Sequence, residues 1–525
     1  MKYLSILFFI LFALKVKAQQ YDILIKNARI LDGTGNSWYI SDLAVKGDLI
    51  VKIAPFINGS ATKVIDAKNN ILSPGFIDVH THIEGDENKT PTAQSFIYDG
   101  VTTVITGNCG SSQIHIKKYL DVIDSVKLSI NVGVLIGHND VREAVMGKAN
   151  RDPSKQELEK MEAIVEQGMK EGAMGFSTGL IYIPGTYTKT PEIIALAKVA
   201  SKYHGVYATH MRSESDDVKE AITEALTVGK EADLPVEISH FKIGGQQNWG
   251  ESDQTLEMIK QARLEGMDVT IDQYPYTASS TSISTLVPDA ILADGQDSIN
   301  ARLSNPEIRK KAIEEMLASL KRRNLKHFDY AVVAYFSPDT SYNGKSIEEI
   351  NLMRGGKHQA KAEAETVLYI TENGGASAVF HGMGDYDLKN IMKYPFNMPA
   401  SDAGIREFGA GMPHPRGYGT NARVLGKYVR EEKVLSLEEG VRRMTSLPAQ
   451  KFQLQHRGLI KEGMKADILI FNPATVTDNA TYEKPHAFST GFEYVLVNGG
   501  LTVENGKHTN LRNGVALRHN SSLGY

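Results

Sequence analysis

Eight short apolar runs, rich in β-branched residues, recur between positions 71 and 402, and this recurrence constrains the fold more than any other feature. Stretches of helical length separate them, for example 155–172, 191–204 and 252–264. Such alternation is typical of βα units on a parallel sheet, and eight units predict an α/β fold, a (β/α)8 TIM barrel. The runs are 75–79, 101–106, 132–137, 174–177, 206–209, 236–239, 269–271 and 397–401.

Polar residues stand at the end of every run. The carboxyl ends of the strands meet on one face of a barrel and carry its chemistry, so these residues are expected to share one site. The lone thiol of Cys109 is more typical of a metal ligand than of half a disulfide, and zinc accepts imidazole, thiolate and carboxylate together. The residues are His80 and His82, Cys109, His138, 179–182, His210, His240 and Lys242, 272–276, and Asp402.

The 525 residues are too many for one ordinary core. Residues 19–70 and 455–525 contain short strand patterns with turn signals, and they predict a small β-sandwich domain formed by the N- and C-terminal segments. Residues 71–454 form the predicted barrel, with an insertion at about 285–385 between its seventh and eighth strands. Long loops of this kind often act as lids, and Tyr335, Phe336 and Tyr342 either line a pocket or form the core of the insertion itself.

Residues 1–18 have the pattern of a secretory signal peptide: Lys2, a short apolar stretch and Val16-Lys17-Ala18. We therefore expect export to the periplasm or the medium, without a membrane anchor. The formal net charge is −4, and removing the segment takes away three lysines and no acid. This balance offers no basic surface for nucleic acid or anionic lipid. A single cysteine excludes a disulfide framework.

Several longer motifs carry a specific resemblance, from about Tyr21 to Gly499. The chain resembles the amidohydrolase superfamily and, within it, the N-acyl-D-amino-acid deacylases, or D-aminoacylases. This resemblance implies hydrolysis of the amide bond of N-acyl-D-amino acids, which releases a carboxylate and a free D-amino acid. The motifs are Gly107-Asn108-Cys109-Gly110, 177–185, His210-Met211-Arg212, Ser239-His240-Phe241-Lys242 and 414–420.

The resemblance also implies roles for the strand-end residues. One tightly bound zinc is expected on Cys109, His210 and His240. A second, weaker position is expected on His80, His82 and Asp402. Asp402 is the expected general base that then serves as general acid, although Ser401-Asp402 before a turn is also compatible with a helix cap.

The substrate of such an enzyme carries a free α-carboxylate. The resemblance places Tyr182, Lys242, Ser279 and Arg416 around it; Arg416 in a surface salt bridge and Tyr182 as a packed aromatic are the alternatives. Among the other polar residues, the sequence favours a structural role for His138 and a loop-fixing role for His381. Arg212 either orients the site or pairs with Glu214.

Two departures from the family pattern leave the substrate open. Ile83 follows the His-x-His pair where an acidic residue is usual, and Ala403 follows Asp402 where glycine is usual. The partner is therefore a small N-acyl amino acid of undefined side chain, and the sequence does not indicate the oligomeric state. The alternatives are a cyclic amidase of the hydantoinase kind, a dipeptidase for D- or isomerised residues, and a non-catalytic metal-dependent ligand binder.

Overall fold

The computed structural model describes residues 21–520. The signal peptide predicted at residues 1–18 lies outside the described residues. Within residues 21–520, no helix has both the length and the apolar content needed to cross a membrane.

The eight predicted parallel strands are all present and form the barrel. Each is short, and most of their residues are fully buried, as expected for parallel strands covered by helices. The third predicted strand is divided in two at Leu135: its first part pairs with Val101–Thr106 and its second part with Gly175–Gly179. The strands are Phe76–Asp78, Val101–Thr106, Asn131–Val134 with Ile136–Gly137, Gly175–Gly179, Val206–His210, Val236–Ile238, Val269–Gln273 and Asn397–Pro399.

Closure of the barrel brings its first and last strands together. The Asp402 amide donates to the His80 carbonyl at 2.9 Å, and the His82 amide donates to the Ala403 carbonyl at 3.0 Å. Residues that are about 320 positions apart in the chain therefore become neighbours at the carboxyl end of the barrel. The predicted α/β barrel is confirmed.

Helices surround the barrel with their apolar stripes facing inward. Lys155–Lys170 shows the pattern: Ser154 and Glu157 form a capping box at its start, and Met161, Val165 and Met169 are buried at spacings of four. The α-helices outside the insertion are Gln94–Ile97, Ile116–Val126, His138–Met146, Lys155–Lys170, Thr190–Ser201, Val218–Ala232, Ser252–Leu264, Asp385–Lys393, Arg416–Arg423, Leu437–Met444 and Ser446–Lys451, with a π-helix at Val424–Glu431. Short 3₁₀ turns lie at Gly185–Tyr187 and Gln246–Asn248.

The two ends of the described chain share a nine-stranded sheet. The sheet branches at Tyr21–Ile30, because this strand pairs with three others. The edge strand Leu49–Ala54 lies beside the C-terminal segment, where the Ile50 amide donates to the Met464 carbonyl at 2.9 Å. The strands thereby enclose an apolar core that includes Ile25 and Ile470. In hydrogen-bonding order they are Lys507–His508, Gly500–Glu504, Phe492–Val497, Ile468–Phe471, Ile71–Pro74, Tyr21–Ile30, Tyr39–Lys46 and Leu49–Ala54, with Ala61–Asp66 on the branch.

The segment between the last two barrel strands has a small sheet and a core of its own. Phe336 and Tyr342 stack in this core with ring centroids 5.7 Å apart, whereas the Tyr335 side chain is half exposed. Phe336 and Tyr342 therefore pack within the insertion, and Tyr335 does not belong to its core. Its strands are Ala278–Ser282, Ala331–Tyr335 and Ser377–His381; its α-helices are Asp289–Leu292, Gln296–Leu303, Pro306–Arg322, Ile347–Met353 and Ala360–Glu372, with 3₁₀ turns at Ile283–Leu286 and Thr340–Tyr342.

Candidate metal centre

Cys109 lies where the chain turns sharply after the second barrel strand. Gly107 allows the turn with a φ of 80°, and the thiol that follows is buried. Its Sγ lies 3.3 Å from His80 Nε2, 3.5 Å from His240 Nε2 and 3.6 Å from His210 Nδ1. Sulfur and nitrogen ligands on one tetrahedral zinc stand roughly 3.5 Å apart, given bonds of about 2.3 and 2.0 Å. The spacing of Cys109, His80 and His240 fits such a site, since their ligand atoms all lie within 4.8 Å of one another. His210 falls in a separate group with Glu214 and His240.

A second group of ligand atoms adjoins the first. Asp402 Oδ1 lies 3.2 Å from His82 Nε2 and 3.6 Å from His80 Nε2. The same His80 nitrogen also faces Cys109, so the two groups are contiguous. The resemblance assigned His80 to the weaker position, whereas the geometry places it against both positions.

Three of these residues have unusual backbone conformations. Cys109, His240 and Asp402 have φ values of 53°, 36° and 50°, in the left-handed region that non-glycine residues rarely adopt. Such conformations cost about 1–3 kcal/mol each and persist where the surrounding fold requires them. Three examples on separate strand ends indicate that the fold holds these side chains in fixed directions.

Two carboxylates orient His80 and His240 by contacting Nδ1, the ring nitrogen that faces away from Cys109. Asp272 Oδ2 lies 3.1 Å from His80 Nδ1, and its Oδ1 accepts from the His240 amide at 2.8 Å. Glu214 Oε1 lies 2.7 Å from His240 Nδ1. Metal-binding histidines usually donate a hydrogen bond from their second ring N–H to such a carboxylate, which fixes the tautomer. Here both Nε2 atoms are left facing Cys109.

The sequence prediction gave neither carboxylate a role. Asp272 belonged to a strand-end run but stood out no more than its neighbours. Glu214 lies in a loop, and the only sequence signal is its position four residues after His210. The structure also groups Glu214 with His210 and His240 as a set whose atoms could hold a metal ion.

The electrostatics suit a cation. Burial alone would raise the pKa of the Cys109 thiol, but the adjacent histidines, His80 foremost, hold it well below its usual range. Burial also opposes charge on Asp402, yet Arg416, with Nη1 2.9 Å from Oδ2, holds that pKa well below its ordinary value. His210 has a pKa lowered by burial, and its Nε2 has no hydrogen-bond partner. Burial alone would lower the pKa of His80, His82 and His240, but the neighbouring carboxylates and the Cys109 thiolate raise it, for His82 to about 9. Zinc binds thiolate, carboxylate and neutral imidazole, so its binding would release a proton from each of these three rings.

Three of the four residues predicted to bind substrate contact this group, and Ser279 lines the cavity beside it. Arg416 is buried, forms an ion pair with Asp402 and donates from Nη2 to the Ser280 carbonyl. Lys242 Nζ contacts Glu214 and lies 2.9 Å from His240 Nδ1. The Tyr182 ring packs 5.0 Å from the His210 ring, and its hydroxyl bonds Thr281 at 3.0 Å. Arg416 is thus not a surface residue, and Asp402 is not a helix cap in this structure.

A cavity of about 630 Å³ opens beside these residues. Its lining includes Lys242 and Glu214 from beside the candidate metal centre, and Ser279, Leu325 and Phe380 from the insertion. The insertion therefore contributes a wall of the cavity next to the candidate metal centre. Neither Phe336 nor Tyr342 belongs to this wall.

The remaining polar residues serve other contacts. His138 is fully buried, and its Nε2 lies 3.0 Å from Glu192, which supports the structural role predicted for it. Arg212 pairs with Glu224 at 3.0 Å, so the pairing with Glu214 considered from the sequence is wrong. His381 ends an insertion strand and lines the cavity.

Comparisons with known proteins agree with this geometry. Residues 63–503 match the model of the "Amidohydrolase family". A D-aminoacylase from Alcaligenes xylosoxydans xylosoxydans is 31% identical over 505 residues, covering 92% of this chain and 94% of the relative. A D-aminoacylase structure described as having a binuclear metal centre, with one-metal activation and second-metal attenuation, superposes with a TM-score of 0.81 at 31% identity, covering 95% and 100% of the two chains.

A further solved structure is an N-acyl-D-glutamate deacylase from Bordetella bronchiseptica, complexed with zinc and a phosphonate that mimics the tetrahedral intermediate. It is 30% identical, with a TM-score of 0.81, and the match covers 95% of this chain and 100% of that one. Identity of 30–31% across nearly the whole of both chains, together with the family match, supports the expected resemblance. The chain belongs to the amidohydrolase family and, within it, to the D-aminoacylases.

Proposed function

We propose that this chain hydrolyses the amide bond of N-acyl-D-amino acids and depends on zinc. The observation that carries the proposal is the convergence of Cys109, Asp402 and four histidines at the carboxyl end of a barrel of this family. The names of the relatives supply the substrate class, and the zinc in the N-acyl-D-glutamate deacylase structure supports the metal.

The tighter zinc position consists of Cys109, His210 and His240, and the weaker one of His80, His82 and Asp402. When bound, zinc lowers the pKa of water to about 7 and polarises an amide carbonyl. The thiolate and the neutral imidazoles supply the ligands, while Asp272 and Glu214 hold the histidine rings in place.

Asp402 moves the proton. Its low pKa keeps it ionised, so it can accept a proton from the attacking water. It then passes this proton to the amide nitrogen, which must be protonated to leave as an amine. One carboxylate thus serves first as the base and then as the acid.

Arg416, Lys242, Tyr182 and Ser279 bind the free α-carboxylate of the substrate. Arg416 provides a planar guanidinium and is held rigidly, since Tyr274 lies 4.5 Å beneath it and the Ser280 carbonyl accepts from it. Its buried Nε has no hydrogen-bond partner, which leaves a donor for the incoming carboxylate. The side chain of the substrate extends into the adjoining cavity.

The residues that bind the free α-carboxylate distinguish the main proposal from its alternatives. A cyclic amide or hydantoin has no free carboxylate for Arg416 to bind, and a protein that only captures a ligand has no need of Asp402 as a proton carrier. The decisive experiment is a hydrolysis screen of paired D- and L-N-acetyl amino acids, with hydantoins and dipeptides included. We expect the D-forms to be cleaved; equal or greater activity on L-forms, or activity on cyclic amides alone, contradicts the proposal.

The proposed location is the periplasm or the medium, on the strength of the signal-peptide pattern in residues 1–18. N-terminal sequencing of the protein from fractionated cells tests it. A chain that begins near Gln19 outside the cytoplasm is expected, and a chain that retains Met1 in the cytoplasm contradicts it.

A further inference from the structure

A second set of metal-binding side chains meets in the insertion, apart from the centre described above. It consists of two histidines and two glutamates, and the four ligand atoms all lie within 4.8 Å of one another. We propose that this set binds a structural divalent cation with the preferences of zinc. Its members are His327, Glu348, His358 and Glu363.

The spacing of the atoms suits four-coordinate zinc. His327 Nδ1 lies 2.7 Å from Glu363 Oε1 and 3.8 Å from Glu348 Oε1, and His358 Nε2 contacts the same Glu348 oxygen. Nitrogen and oxygen ligands at about 2.0–2.2 Å from zinc stand roughly 3.4 Å apart in a tetrahedron. The His327–Glu348 separation is close to that value, and the two shorter contacts are hydrogen bonds that would lengthen around a bound cation.

Without a metal, the four side chains pair by hydrogen bonds, His327 with Glu363 at 2.7 Å and His358 with Glu348. These pairs bring two imidazole nitrogens and two carboxylates together in one place. The His327 and His358 rings are stacked, with centroids 4.4 Å apart and an angle of 16°, so protonating both would place two cations face to face. Glu363 is fully buried and accepts from the Phe328 amide at 2.8 Å. A cation would contact both neutral imidazoles and both carboxylates at once.

The cation would join separate parts of the insertion. Glu348 and Glu363 stand in the first turns of two helices, and His327 lies in the loop before the strand Ala331–Tyr335. Leu325 and Tyr330, on either side of His327, line the cavity beside the candidate metal centre. A cation here therefore fixes a wall of that cavity. Binding of the cation is independent of the proposed catalytic function.

The test compares zinc content and heat stability in matched variants of the full chain. His358→Ala is the main variant, because this side chain is 59% exposed and its loss leaves the core intact. Glu348→Gln is the second, and His115→Ala, which removes an exposed histidine outside every set, is the control. Each protein is equilibrated with excess Zn²⁺, freed of unbound metal by gel filtration, and analysed by mass spectrometry for zinc per chain.

We expect both variants to hold one zinc fewer than the wild type and the control to hold the same number. The rise in Tm that Zn²⁺ gives the wild type should shrink in both variants. All four proteins keep the catalytic centre, so the difference counts the insertion site alone. Zinc content or a zinc-dependent Tm that is equal in the wild type and His358→Ala overturns the proposal.

Discussion

Replacing Glu214 with glutamine tests whether this carboxylate controls zinc binding through His240. Glu214 Oε1 lies 2.7 Å from His240 Nδ1 and also contacts Lys242. Glutamine keeps the shape and one acceptor oxygen but removes the charge. His240 then becomes a less basic ligand, and Lys242 competes for the remaining oxygen.

The size of the effect follows from the geometry. Removing a partner of a metal-bound histidine typically weakens metal binding about 10- to 100-fold, or roughly 1.4–2.7 kcal/mol. The Glu214 side chain is only 17% exposed, so solvent and salt screen its charge little, and we expect the upper part of that range. If Glu214 were itself a ligand of the tight zinc, stoichiometric zinc would be lost altogether.

The assay is zinc affinity by competition with a chelator, followed by kcat/KM on an N-acetyl-D-amino acid at saturating zinc. Glu224→Gln is the matched control, because Glu224 pairs with Arg212 and contacts none of the candidate ligands. A zinc affinity in Glu214→Gln within about threefold of that control would refute the reasoning. Saturating zinc should restore most of the lost activity, since Asp402 is unchanged.

Further predictions concern the metal ligands, the arginine that binds the substrate carboxylate and one buried lysine. Cys109→Ala should hold one zinc per chain fewer than the wild type, and an equal zinc content on metal analysis would show the ligand assignment to be wrong. Asp402→Asn should keep the fold and the tight zinc but lose about 10²–10⁴ in kcat; near wild-type turnover counts against the acid–base role. Arg416→Lys should raise KM for N-acetyl-D-amino acids about 10- to 100-fold at unchanged zinc content, through loss of a charge-assisted hydrogen bond. Burial lowers the pKa of Lys451 to about 8 in the folded protein, so above that pH the unfolded chain binds more protons than the folded one. The free energy of unfolding should therefore rise between about pH 8 and 10 in the wild type relative to Lys451→Met, as measured by denaturant titration.

The barrel could be predicted because each strand is a short apolar run that must be buried on both faces. The ends of those runs carry His80, Cys109, His210, His240 and Asp402, so the fold class also predicted which residues would meet. The nine-stranded sheet was harder to foresee in detail. The branch of this sheet, and the contact of its edge strand with the C-terminal segment, depend on backbone hydrogen bonds between strands that are far apart in the chain. Such bonds leave no periodic pattern in the sequence.

The contacts around the metal ligands could not be predicted from the sequence. Glu214 reaches His240 across a loop, and Asp272 bonds both His80 and His240 from the base of the site. No local spacing encodes these approaches. The four residues of the insertion site are likewise spread over 37 positions on several segments, without a recognisable ligand motif.

The shared sheet at the two ends of the chain affects how the protein is made. Ile71–Pro74 pairs on one side with Tyr21–Ile30 and on the other with Ile468–Phe471. The second partner leaves the ribosome almost 400 residues after Ile71–Pro74 itself, so the growing chain carries an open, apolar strand edge through most of its synthesis. Such edges invite aggregation and proteolysis. Chains truncated before residue 468 should therefore be degraded even when every barrel strand is present.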